Sequence, residues 1–97
     1  MNYRISRQAN ADIEGICGQV GKDNPGAADR LDQRIHLTLQ LLARFPKIGH
    51  ERHDVTDKRY LFWTVGSYVI AYRIQGKNLL IVRVLHGARN FRTCFDD

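Results

Sequence analysis

Apolar positions recur at helical spacing in the first half of the chain and change period in the second. Ala9, Ile13, Ile16, Cys17 and Val20 predict an amphipathic helix over residues 7–20. Ser6 is placed to cap it, its hydroxyl accepting from a free backbone N–H of the first turn. Gly15 and Gly18 weaken this helix by about 1 kcal/mol each relative to alanine. They would let another helix approach closely, and Gly21 is expected to end the helix. Asp23-Asn24-Pro25 opens a second helix, with a capping side chain followed by proline at the first helical position. Its apolar residues are Ala28, Leu31, Ile35, Leu39 and Leu42, and Leu37 and Leu41 form a second stripe alongside. Two stripes make a face wide enough for the first helix, a sheet and a partner. Phe45-Pro46 ends the helix, and so short a link between the two predicts an antiparallel hairpin.

Beyond residue 59 the chain reads as strands. Tyr60 to Val65 is aromatic and β-branched, and Gly66-Ser67 fits a two-residue hairpin turn with glycine first. Tyr68 to Ile74 is the return strand, Gln75 to Asn78 a loop, and Leu79 to His86 a third strand. Simple alternation puts Val82, Val84 and His86 on one face and Ile81, Arg83 and Leu85 on the other. Arg83 then either faces solvent or is paired. Tyr3 to Ile5 fits a short edge strand, Gly87 breaks the last strand, and residues 88–97 have room for one helical turn. The order β-α-α-β-β-β describes an α+β fold, a helical hairpin packed on a small antiparallel sheet, with residues 1–97 forming one domain.

Charge sharpens this picture because of where it lies. Residues 1–57 hold eight basic and eight acidic side chains, which cancel. From Lys58 to Phe95 come Lys58, Arg59, Arg73, Lys77, Arg83, Arg89 and Arg92 without one Asp or Glu, and the chain totals +5. Such a segment is a directed positive field suited to nucleic acid or an acidic protein; the plainer account is a solvated sheet face. With 43% hydrophobic and 26% charged residues, the chain has the composition of an ordered globular domain. A core this small is marginal, and a bound partner would add stability. Cys17 and Cys94 lack metal-ligand spacing and are expected as free thiols in a reducing cytoplasm. No apolar run is long enough to span a bilayer, so no membrane partner is expected.

Four segments carry a family likeness. They are Tyr3-Arg4-Ile5-Ser6; Asp23-Asn24-Pro25-Gly26-Ala27-Ala28; Leu42-Ala43-Arg44-Phe45-Pro46-Lys47-Ile48-Gly49; and Tyr68 to Ile74 followed by Ile81 to Arg89. In this order and spacing they resemble the RelE/ParE toxins of type II toxin–antitoxin, or plasmid-stabilization, systems, on the ParE branch. The resemblance implies a cognate acidic antitoxin whose C-terminal segment wraps the toxin in a hetero-oligomer. The wide apolar hairpin and the basic half would receive such a peptide independently of the likeness. Leu37 and Leu41 are the expected anchors, with Arg59, Arg73 or Arg83 as charge partners.

Two activities compete within that family. ParE-like members inhibit DNA gyrase by trapping it on cut DNA, without chemistry of their own. RelE-like members cut mRNA on the ribosome. A nuclease reading would use Arg73 and Arg83 as phosphate clamps and His86 as acid or base, assisted by Tyr72 or His53. Against it, the C-terminal tail carries Phe91 and no tyrosine, and Lys47 stands alone at the end of the second helix. His86 also has a structural reading, hydrogen-bonding at the strand end. The expected target surface is therefore Arg73, Arg83, His86, Arg89 and Arg92, acting as contacts with gyrase. His50-Glu51-Arg52-His53 has a superficial metal look but falls in a loop without further ligands; neither a metal nor a cofactor is expected. His36 reads as an exposed polar position. Of Phe62 and Trp63, one is expected inside and the other available as a contact. A DNA-binding role lacks a helix-turn-helix signal.

Overall fold

The computed structural model describes residues 1–51 and 60–87. Its elements are β1 (Asn2–Ile5), α1 (Arg7–Asp23), α2 (Pro25–Arg44), β2 (His50–Glu51), β3 (Leu61–Val65), β4 (Tyr68–Gln75) and β5 (Asn78–His86). The α+β architecture expected from the sequence is observed. Ser6 caps α1 through its hydroxyl, which accepts from the Ala9 N–H at 3.0 Å. The helix runs through Gly21 to Asp23, because its end is set by Asn24, whose N–H reaches the Val20 carbonyl at 3.0 Å. Asn24 then caps α2 as well, its side-chain oxygen accepting from the Ala27 N–H at 3.1 Å. One residue joins the helices. Gly15 and Gly18 meet no other helix: a Cβ at either would touch nothing within 4 Å. The close approach is at Gly21, where an added Cβ would lie 3.4 Å from that of Ala28.

The five strands form one sheet in the order β1-β5-β4-β3-β2. β3, β4 and β5 are an antiparallel meander, as their turns predict. Gly66 at φ +59° sets the first turn, and Gly76 at φ +61° lets Gln75 pair directly with Asn78, tightening the expected loop to two residues. β1 lies at an edge and runs parallel to β5, with Tyr3 opposite Leu79 and Ile5 opposite Ile81, so the sheet is mixed. β2 adds a short antiparallel partner for β3 at the other edge.

The core lies between the hairpin and one sheet face. Ala9, Ile13, Ile35, Leu39 and Leu42 from the helices meet Val65, Ile70, Tyr72, Leu79, Ile81 and Val84 from the strands. Ile81 and Val84 face the same core because β5 carries an extra residue: Ala71 pairs with Arg83 and Tyr72 with Ile81, leaving Val82 unmatched. This bulge overturns the simple alternation along the last strand. The opposite face holds Phe62, Val69 and Ala71 in a second buried cluster, with Tyr60 and Leu85 against it. Phe62 is buried on the far face, and Trp63, on the other face, packs partly buried against the main core.

Tyr72 fastens the end of the hairpin to the sheet. Its hydroxyl donates to the Pro46 carbonyl and accepts from the Gly49 N–H, both at 2.9 Å. A Cβ on Gly49 would overlap that hydroxyl and press ring carbons at 2.9 Å, so only glycine fits there. Burial pushes the Tyr72 phenol up from its ordinary 10.0, partly opposed by the Gly49 hydrogen bond. Because the folded state holds this proton more tightly, its contribution is fully present below pH 10 and declines as pH rises above it. Tyr72→Phe should cost about 1–3 kcal/mol in denaturant melts at neutral pH, since two backbone groups lose their partner. The variant should also lose part of the decline in stability at alkaline pH. Melts matching the parent at both pH values would show that the hydroxyl does not hold this junction.

Candidate functional site

The end of β5 is where the fold brings charged side chains and backbone together. β1 covers β5 only as far as Ile81, and beyond it the exposed edge of β5 is taken up by side chains of α1 and its cap. Ser6 donates its N–H to the Ile81 carbonyl at 2.9 Å and its hydroxyl to the Val82 carbonyl at 2.8 Å. Asp12, nearly two turns further along, accepts from the Val84 N–H at 3.0 Å. The same carboxylate takes Arg83 in a two-point grip, Nε at 2.7 Å and Nη2 at 3.0 Å. The paired alternative for Arg83 is thus the one realised, with its side chain 21% exposed and that of Asp12 12%. Charge-assisted bonds of this geometry fix orientation as well as adding energy.

The remaining predicted target residues are spread out. Arg73 is exposed and follows Tyr72 on β4, so it stands on the face away from the helices. His86 is exposed at the end of β5 and meets Tyr68 edge-on, ring centroids 5.3 Å apart. Tyr68 packs against the helix-side core, which places His86 on that side of the sheet. Arg73 pairs with Leu80, six residues before His86 on β5, a separation of about 20 Å along the strand. Arg73 and His86 therefore lie on opposite faces near opposite ends of the sheet, with Arg83 between and turned to α1. Tyr72, the suggested assistant in a nuclease, has its hydroxyl committed to Pro46 and Gly49. Arg59, Arg89, Arg92, His53, Phe91, Cys94 and the suggested terminal helical turn lie outside the described residues.

A groove of about 450 Å³ runs beside this junction, walled by Ala11, Gly15 and Gln19 of α1 and by Tyr68, Val84 and His86 of the sheet. Cys17 is half-buried, and its thiol is pushed up from 9.0 by burial and then by Asp32 and Asp29. It is protonated near neutrality and a poor nucleophile. His50 stacks on Trp63, centroids 6.0 Å apart and planes 17° from parallel, which gives that ring a packing role. His36 lies 3.4 Å from Asp32, one turn back on α2, at the surface.

Leu37 and Leu41, the two leucines of the second stripe, are exposed. Leu37 is 64% and Leu41 39% exposed on the outside of α2, and Phe45, 51% exposed, continues their row. Arg30, Arg34, Leu37, Leu41 and Arg44 follow at steps of four, three, four and three, which lines all five exposed side chains along one helical row. Sequence reasoning found the two leucines and missed the three arginines, although the same spacing identifies them. Arg34 reaches toward the Gly66 turn, with Nη1 3.6 Å from a Cβ built there. Arg44 lies over the Phe45 ring, 5.7 Å from its centroid. No carboxylate interrupts the row, and no described helix is long and apolar enough to cross a membrane.

This arrangement of hairpin and sheet is shared with a solved structure of the chromosomal ParDE toxin–antitoxin system from P. aeruginosa. The TM-score is 0.76 at 21% identity, over 90% of this chain and 96% of that one. In sequence, the chain is similar to Toxin ParE1 of Caulobacter vibrioides, 30% identical over 92 residues and covering 93% of each protein. It is also similar to Toxin RelE2 of the same organism, 34% identical over 82 residues, covering 84% of this chain and 90% of that toxin. The family model for the ParE toxin of the parDE type II toxin–antitoxin system matches residues 3–91. The chain belongs to the ParE toxin family.

The junction at the end of β5 can be tested separately from activity. Asp12→Ala removes the acceptor of three hydrogen bonds, two of them from a guanidinium, and should lower unfolding free energy by about 2–3 kcal/mol. A loss below about 0.5 kcal/mol, the range of ordinary surface substitutions, would mean that α1 does not depend on this carboxylate to hold β5.

Proposed function

We propose that this toxin acts inside the cell by binding DNA gyrase and blocking replication, and that a cognate acidic antitoxin neutralises it in a hetero-oligomer. The observation that carries the gyrase reading is the dispersal of Arg73, Arg83 and His86 over two faces and about 20 Å of sheet. Metal-free RNA cleavage needs its acid, base and phosphate clamp within one hydrogen-bonding reach of the scissile phosphate. A protein-contact surface has no such requirement, because its energy comes from anchors spread over the interface. Arg73 and His86 supply contacts from the described part of the sheet, with Arg89 and Arg92 following in the chain. Arg83 joins this surface as the residue that ties β5 to α1. The ParE match over residues 3–91 supports the same choice.

The measurement is gyrase supercoiling and DNA cleavage with purified, antitoxin-free protein. Loss of supercoiling with accumulation of cleaved DNA is expected, and Arg73→Glu should weaken it about tenfold or more, as a contact worth at least 1.4 kcal/mol would. Ribosome-dependent mRNA cleavage is the second reading, favoured by the similarity to Toxin RelE2. Cut mRNA on ribosomes, together with unaffected gyrase of the host, would establish it instead.

For the antitoxin, the row on α2 offers apolar anchors between arginines, which suits an amphipathic helix carrying carboxylates. Arg59 is proposed as a further charge partner. Leu37→Glu and Leu41→Glu together should reduce antitoxin affinity about thirtyfold or more, the effect of losing a central anchor, while melting like the parent. Undiminished affinity by calorimetry would move the contact off α2.

A further inference from the structure

Strands β1 and β4 flank β5 with matched arginines. Arg4 on β1 and Arg73 on β4 both stand opposite Leu80, so the three residues form one row across the sheet. Leu79 and Ile81, the neighbours of Leu80, are buried in the core on the helix side, which turns the row to the other face. Two strand spacings put the arginines about 10 Å apart, the rise of about three nucleotides along one strand of a duplex. The next row toward the β4–β5 turn is Asn2, Asn78 and Gln75, and Lys77 lies in the turn itself. Arg4, Arg73 and these four residues are all exposed. No Asp or Glu occurs in β1, β3, β4 or β5, and neither Arg4 nor Arg73 is in an ion pair among the described residues.

We infer that this face binds the phosphate backbone of duplex DNA, with Arg4 and Arg73 each on a phosphate and the amides of Asn2, Gln75 and Asn78, with Lys77, beside them. Its use in the cell rests on the proposal of gyrase as target, since an enzyme that holds DNA brings duplex to a protein bound on it. The composition of the face selects the ligand. Arginine, lysine, asparagine and glutamine are side chains that contact phosphates without reading sequence, and such contact needs no helix-turn-helix. An acidic polypeptide calls for apolar anchors between the charges. The α2 row has exposed leucines in that place, whereas Leu80 is half-buried between its arginines. A single strand calls for exposed aromatic rings on which to stack its bases. Tyr60, on this face, is instead half-buried against the cluster of Phe62, Val69 and Ala71.

The test titrates purified, antitoxin-free toxin into a fluorescent duplex of mixed sequence at several salt concentrations, without gyrase. Binding should be indifferent to sequence and fall as salt rises. Arg4→Gln and Arg73→Gln should each reduce the slope of log affinity against log salt by about 0.9, one phosphate contact apiece. Arg4→Lys and Arg73→Lys keep the charge and should keep the parent slope. Lys22→Gln removes the same charge from the last turn of α1 and should leave the slope unchanged. All three positions are exposed, so melts should match the parent. No binding by folded toxin in low salt overturns the inference. So does an equal loss of slope in Lys22→Gln, which would reduce the contact to net charge. Tighter binding of a single strand of equal length would overturn the duplex assignment. Antitoxin affinity lost in the Arg4→Gln/Arg73→Gln double variant, with duplex binding unchanged, would give the face to the acidic partner. Because no gyrase is present, failure here leaves gyrase inhibition to its own supercoiling assay, and the two readings fail separately.

Discussion

The fold turns on how α1 closes the end of β5. Strand β1 is too short to cover its neighbour, and the uncovered stretch contains a bulge. Unpaired backbone groups in a half-buried place cost about 1–3 kcal/mol each, so the arrangement persists only because Ser6 and Asp12 supply partners. Ser6 does so while capping its own helix, and Asp12 does so while gripping Arg83. The position of α1 and the twist of the bulge are thus one decision. The described chain leaves this junction through His86 and Gly87.

The local features of this protein were legible because short-range chemistry decides them. Ser6 and Asn24 cap helices as their side chains allow, Gly66 sets the turn its φ requires, and the α2 stripes follow from helical spacing. What was hidden depends on residues far apart in the chain. Nothing in Asn2–Ile5 announces that its partner is Asn78–Ile81, or that the pairing is parallel. The bulge at Val82 was equally invisible, since a carboxylate seventy residues earlier stabilises it, and it reversed the facing of Val84 relative to Ile81. The same distance effect applied to the candidate site. From the sequence Arg83 either faced solvent or was paired, and only the fold supplies Asp12.

Two kinds of surface divide the molecule. The hairpin side carries arginines between exposed apolar residues, a combination in which both components favour an acidic amphipathic polypeptide. The far side of the sheet is not uniformly basic: Phe62, Val69 and Ala71 form a small buried cluster there, and Arg73 stands beyond it. Among the described residues, positive charge is therefore presented in separate places, at Arg73 on the far side of the sheet and along the Arg30, Arg34 and Arg44 row of α2.

The single residue between the helices has a consequence for how the molecule comes apart. Asn24 closes α1 with its backbone and opens α2 with its side chain. Fraying the last turn of one helix removes the first-turn partner of the other, so neither end can loosen alone. A longer linker would let each helix breathe independently and expose the hairpin to proteases by halves. Here the two helices constitute one cooperative unit, and their connection is a place where evolutionary drift in loop length is closed off.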